Sequence, residues 1–303
     1  MTMFSPTVTT PAQFYTWQNY ACAYHYQASV TVAQNSLPLV LIHPIGVGLS
    51  GRFWQRFIQQ WQVSNLAQPI YNPDLLGCGS SAMPPVAYYP IDWAEQLQSF
   101  LHTVVQRPVV LVVQGALFPV AIELVKLQPD LVRGLVLSGP PAWPLISRET
   151  PEWQHRLAWS IFDSPIGVGF YSYARRREFL RSFSVRQLFA NSSDVDAEWL
   201  DTLEQGASDP ASRHAVFSFL ASFWRQDYRS AIAQITQPTL VVMGETASSI
   251  SREVQTETPA QRLADYLAKF PQAEGVTISG RNVLPYESTP EFVRVVADFI
   301  NRL

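Results

Sequence analysis

The sequence predicts an α/β fold built on a mostly parallel sheet, and three observations carry that prediction. The apolar runs LVLI at 39–42, VVLVV at 109–113, GLVL at 134–137 and TLVVM at 239–243 alternate with segments of helical periodicity. Such runs suit strands covered on both faces, and parallel strands need helical crossovers between them. The chain has 303 residues, 47% of them hydrophobic, enough for one large core that carries an insertion.

The elements follow in order. Residues 14–20 and 22–30 alternate aromatic or apolar with polar positions, the period-two signature of an edge hairpin. Trp93, Leu97, Phe100, Leu101 and Val104 recur at helical spacing and paint one apolar stripe. At the far end Thr289 is the expected N-cap and Pro290 the first helical residue, with Phe292, Val295, Val296, Phe299 and Ile300 on the buried face. Between residues 140 and 237 the strand pattern stops, and the sequence reads as helices and loops dense in aromatics. The predicted organisation is a core in two parts, 1–140 and 238–303, split by a helical insertion over 141–237.

Composition removes several function classes. Lys and Arg total 21 against 24 acids, a net charge of −3 that gives nucleic acid no basic field to bind. Cys22 and Cys78 lie in different segments without metal-ligand spacing, so neither a disulfide framework nor a metal is expected, and no cofactor is implied. No run of about 18 apolar residues occurs. The opening MTMFSPTVTTPAQF lacks a basic segment followed by an apolar one. A cytoplasmic protein without a transmembrane segment is the expectation.

Four segments carry a resemblance. LVLIHPIG (39–46), NPDLLGCGSS (72–81), the stretch 109–141 around VVLVVQGALF, and QPTLVVMGE with SGRNVLPYESTPEFVRVVADFI resemble, in this order, the framework of the α/β-hydrolase superfamily. The likeness is to its capped members, related to esterases, dehalogenases, epoxide hydrolases and carbon–carbon bond hydrolases. HPIGVGLS and QGAL are also similar to segments of uncharacterised hydrolase-like proteins of cyanobacteria and plastids. The resemblance implies an α/β-hydrolase fold, a doubly wound sheet with an inserted helical cap over a pocket.

The family's chemistry needs a nucleophile on a G-x-S-x-G turn, then an acid, then a histidine. Laid on this sequence, the turn reads Val113, Gln114, Gly115, Ala116, Leu117, with Gly115 in the nucleophile's place. No Ser, Thr or Cys occurs from Val104 to Val132. GETA puts Ala247 at the acid position, and GRNVLPYE puts Val283 at the histidine position, with no histidine after His214. All three members are replaced, and losing one costs about four to six orders of magnitude in rate. Pro44 also removes one backbone N–H from the oxyanion turn, leaving those of Ile45 and Ala116.

The expectation is therefore a non-hydrolytic protein that binds a small apolar molecule or a protein partner. Its binding residues would be His43, Ile45, Gln114, Gly115, Ala116 and Val283, beneath an aromatic cap. His43 and Asp74 are expected to hold turns, and Cys78 to be a packed thiol. Two alternatives stay open: an enzyme with substitute chemistry using His43, Glu245 or Gln114, and a scaffold subunit whose aromatic insertion is an interface. Arg175, Arg176 and Arg177, with Arg181 one turn on, are a candidate contact for an anionic or membrane surface against the alternative of a solvated helix face.

Overall fold

A computed structural model describes residues 11–29, 36–254 and 256–303. The N-terminal ten residues and Val30, the expected end of the second strand, lie outside the described residues. Eight strands form one sheet in the order β1-β2-β4-β3-β5-β6-β7-β8. They are β1 (Gln13–Trp17), β2 (Tyr20–Gln27), β3 (Leu39–Ile42), β4 (Ile70–Pro73), β5 (Val109–Gln114), β6 (Val132–Ser138), β7 (Thr239–Gly244) and β8 (Ala273–Ile278). β3 to β8 pair in parallel, and the β1–β2 hairpin adds antiparallel to β4.

The hairpin turns two residues earlier than the alternation suggested. Gln18 and Asn19 both take positive φ, 47° and 67°, and Trp17 pairs with Tyr20. Two successive left-handed residues make the tight turn whose twist matches the flanking strands.

Helices cover both faces. On one side α1 (Gln55–Val63) packs with α13 (Thr289–Ile300), and Trp54, Phe57, Trp61 and Phe292 are fully buried there. On the other, α2 (Pro90–Phe100) packs with α3 (Phe118–Leu127), burying Trp93, Leu97 and Phe100 as their spacing predicted. At α13 the cap is Ser288, one residue before the expected Thr289. The Thr289 hydroxyl donates back to the carbonyls of Pro285 and Tyr286, so it serves the preceding turn.

Between β6 and β7 the chain builds seven α-helices: α4 (Trp143–Ile146), α5 (Glu152–Phe162), α6 (Pro165–Ala174), α7 (Arg177–Phe183), α8 (Ala197–Gly206), α9 (Arg213–Leu220) and α10 (Arg229–Ala233). α11 (Pro259–Lys269) and the short α12 (Leu284–Glu287) complete the core. Among the described residues no helix is long and apolar enough to cross a membrane.

Candidate functional site

The chain runs from β3 to β4 on one side and then to β5 on the other, so strand order reverses at β3. Ligands of open α/β sheets bind outside the strand carboxyl ends at such a reversal. Here those ends carry His43, Ile45 and Gly115.

β5 ends in a tight turn into α3, with Gly115 at φ +63° and half-buried. A Cβ built on Gly115 meets nothing within 4 Å, so the turn faces unfilled space. The flanking Val113 and Leu117 are buried. The elbow geometry thus persists with no side chain at its apex.

Polar side chains bring the other two positions to this turn. Gln114 Nε2 donates to the Asn282 carbonyl at 2.7 Å, beside Val283. Asn282 in turn donates through Nδ2 to the carbonyls of Ser248 and Gln187 and accepts from the Ser248 N–H. Thr246 bonds the Gly280 carbonyl through both its N–H and its hydroxyl. The loops after β5, β7 and β8 therefore meet, and Ala247 and Val283 are both buried. Their side chains do not share one packing cluster: Ala247 sits with Val113, Leu117 and Phe118, and Val283 with Leu188, Phe189, Leu284 and Phe292. Two buried polar atoms, Gln114 Oε1 and Ser138 Oγ, have no partner, and these residues are paired neighbours at the ends of β5 and β6.

His43 is fully buried and both its ring nitrogens are engaged. Nε2 accepts from the Leu75 N–H at 3.1 Å, which leaves Nδ1 as the protonated nitrogen, 2.8 Å from the Pro44 carbonyl. Burial holds the imidazole below the usual histidine value, against the opposing pull of Asp74 and the Pro44 carbonyl. Asp74 beneath it accepts from the backbone N–H groups of Gly51 and Ser80, both at 2.8 Å. Gly79, at φ +59°, lies so close that a Cβ would meet the Asp74 carboxylate at 2.2 Å. These residues hold turns. Cys78 is buried with its thiol pushed well above the usual value by desolvation and then by Asp74, and it packs as an apolar group.

The insertion closes directly on the turn after His43. A Cβ on Gly48 would lie 2.0 Å from the Leu203 carbonyl oxygen, and one on Gly206 would lie 2.1 Å from that of Gly48. α8 is therefore in backbone contact with this loop. A clasp beside it joins α1, α8 and α12: Arg56 pairs with Asp196 and Glu198 and stacks over the Tyr286 ring at 3.8 Å, while the Tyr286 hydroxyl donates to Asp196. Sequence reasoning missed this clasp; the one local sign was Asp196 as N-cap of α8.

All of this framework is that of a known family. Residues 39–295 match the model of the alpha/beta hydrolase family. The chain belongs to that family. Solved structures agree in fold. An esterase from Thermogutta terrifontis superposes with a TM-score of 0.73 at 17% identity, over 97% of this chain and 99% of its own. An enol-lactonase from Burkholderia xenovorans LB400 gives 0.72 at 13% identity, over 95% of this chain and 100% of its own. A serine hydrolase involved in carbazole degradation gives 0.72 at 18%, over 97% and 99%. At such identities the likeness concerns the fold. No curated protein matches the sequence.

Two cavities, of about 500 and 520 Å3, open away from the elbow, and no aromatic of the insertion lines either. Those aromatics largely bind one another: Trp199 packs on Phe53, Phe189 and Tyr286, and Phe217 on Phe162 and Tyr171. In the arginine run, Arg175 and Arg177 are engaged within the insertion. Arg175 donates to the Ala207 and Ser208 carbonyls, and Arg177 pairs with Asp201 and Glu204, both on α8. Arg176 alone of the three is exposed, over the Tyr173 ring.

Proposed function

We propose that this alpha/beta hydrolase family protein is non-hydrolytic and acts by binding, with a small apolar molecule at the elbow as its occupant. The observation that carries the reading is Gly115: the nucleophile's turn is kept at positive φ, its apex has no side chain, and the space above it is unfilled. Ala247 and Val283 in the acid and base positions, both apolar and buried, support it. So does the apolar character of Ile45 and Ala116 beside the turn. The unpartnered Gln114 Oε1 and Ser138 Oγ favour an occupant with one hydrogen-bond donor.

Substitute catalysis is the weaker reading. His43 has no nitrogen to spare, the Gln114 amide N–H holds the Asn282 carbonyl, and Glu245 faces solvent. Native mass spectrometry of freshly purified protein, with a p-nitrophenyl ester assay beside it, tests the proposal. Ester turnover equal to the buffer blank and a bound small molecule, displaced in Ala116→Trp, are the expected results. Turnover above the blank would overturn the non-hydrolytic reading, and a ligand that Ala116→Trp retains would place the site elsewhere.

A further inference from the structure

The described residues include fifteen large apolar side chains that are exposed, and seven of them fall on α5 and α6: Trp153, Leu157, Ile161, Ile166, Val168, Phe170 and Tyr173. α5 has apolar or aromatic stripes on two sides. His155, Trp159 and Phe162 face inward, against Phe223, His214 and Phe217. Trp153, Leu157 and Ile161, spaced at four residues, form the other stripe, and not one residue of this helix is buried. α6, PIGVGFYSYA, carries no charge at all; Gly167, Tyr171 and Ala174 are buried while Ile166, Phe170 and Tyr173 are exposed at helical spacing. Phe162 against Phe170 ties α5 to α6, and Tyr173 against Phe179 ties α6 to α7. A helix apolar all round is ordinarily buried, and an exposed patch of this kind marks a surface that meets another phase or partner.

Charge decides the occupant. From Leu157 to Ala174 the only charged residue is Asp163, and arginines bracket the run: Arg148 and Arg156 before it, Arg175, Arg176, Arg177 and Arg181 after it. Between residues 148 and 181 six arginines face four acids, and Arg148, Arg176 and Arg181 are exposed, Arg176 at the rim over Tyr173. An apolar face with exposed Trp, Phe and Tyr, and with arginines before and after it in the chain, fits the headgroup–acyl boundary of an anionic bilayer. We propose that α5 and α6 dock this protein on an anionic phospholipid surface, lying in its plane. This is independent of whether the elbow binds a ligand.

Co-sedimentation of the full chain with vesicles tests it. Phosphatidylcholine vesicles containing phosphatidylserine should bring the protein down, phosphatidylcholine alone should bring down less, and salt should weaken the preference. Trp153→Asp with Ile166→Asp, both fully surface positions at 64% and 73% exposure, should lower binding by about tenfold or more with an unchanged circular dichroism spectrum. Arg176→Glu with Arg181→Glu should remove the preference for phosphatidylserine. Absence of the protein from both vesicle types would overturn the proposal, as would binding that the aspartate variant retains. A concentration-dependent dimer without lipid, abolished by the same aspartates, would assign the surface to a second copy of the chain instead.

Discussion

Two regions at the carboxyl edge of the same sheet differ. Around β3 and β4 the polar residues of the framework remain and are fully employed: His43 bonds Leu75 and Pro44, and Asp74 bonds Gly51 and Ser80. Around β5, β7 and β8, Gly115, Ala247 and Val283 stand where the proposed reading places the family's nucleophile, acid and base. The difference separates two reasons for a polar residue. Asp74 and His43 satisfy buried backbone groups, and their removal leaves donors unpaired. A nucleophile, an acid and a base hydrogen-bond mainly one another, so apolar residues that replace all three strand no backbone group.

This contrast predicts a ranking. Asp74→Ala leaves the buried Gly51 N–H and the part-buried Ser80 N–H without an acceptor and should cost about 3 kcal/mol, read as a shift in the urea midpoint. Gly115→Ala, whose new Cβ meets nothing within 4 Å, should cost only the left-handed backbone penalty of about 1–2 kcal/mol. An Asp74→Ala variant as stable as Gly115→Ala would break the comparison.

The pH dependence sharpens it. Burial depresses the His43 pKa in the folded protein, and that of His214 as well. Below the ordinary histidine value of about 6.5 the unfolded chain takes up protons that the folded one refuses. The stability held by these two rings is thus complete above that pH and declines as pH falls through it. His43→Gln, which keeps an acceptor for the Leu75 N–H, should flatten the decline between about pH 7 and about pH 5. An unchanged slope would mean that His43 takes up its proton as readily in the fold as in the unfolded chain.

Legibility followed burial. β3, β5, β6 and β7 are covered on both faces and read as unbroken apolar runs, so the sequence displayed them. β4, IYNP, is too short and too polar to stand out, and β8, AEGVTI, is an edge strand buried only at Ile278. The hairpin turn was obscured because Gln18 and Asn19, which take left-handed backbone, include no glycine to mark it. At the site, positions were legible because strand and turn chemistry fix them locally. The partners were not: Asp201 and Glu204, which engage Arg177, lie more than twenty residues along the chain, and the glycine contact that seats α8 on the turn after His43 joins Gly48 to Gly206. Contacts of that range leave no periodicity to read.

The central claim is that a hydrolase framework persists here without its hydrolytic residues, and fluorophosphonate labelling followed by intact mass measurement tests it most directly. The wild-type chain should gain no adduct, and Gly115→Ser should gain almost none, since a serine without a base is not activated. Adding Ala247→Asp and Val283→His to that change should yield an adduct at residue 115 and modest ester turnover. The turnover should be limited because residues 247 and 283 pack in different clusters, and catalytic groups misplaced by about 1 Å lose about a hundredfold. Labelling of the wild-type chain, or a triple variant no more reactive than the single one, would contradict the account.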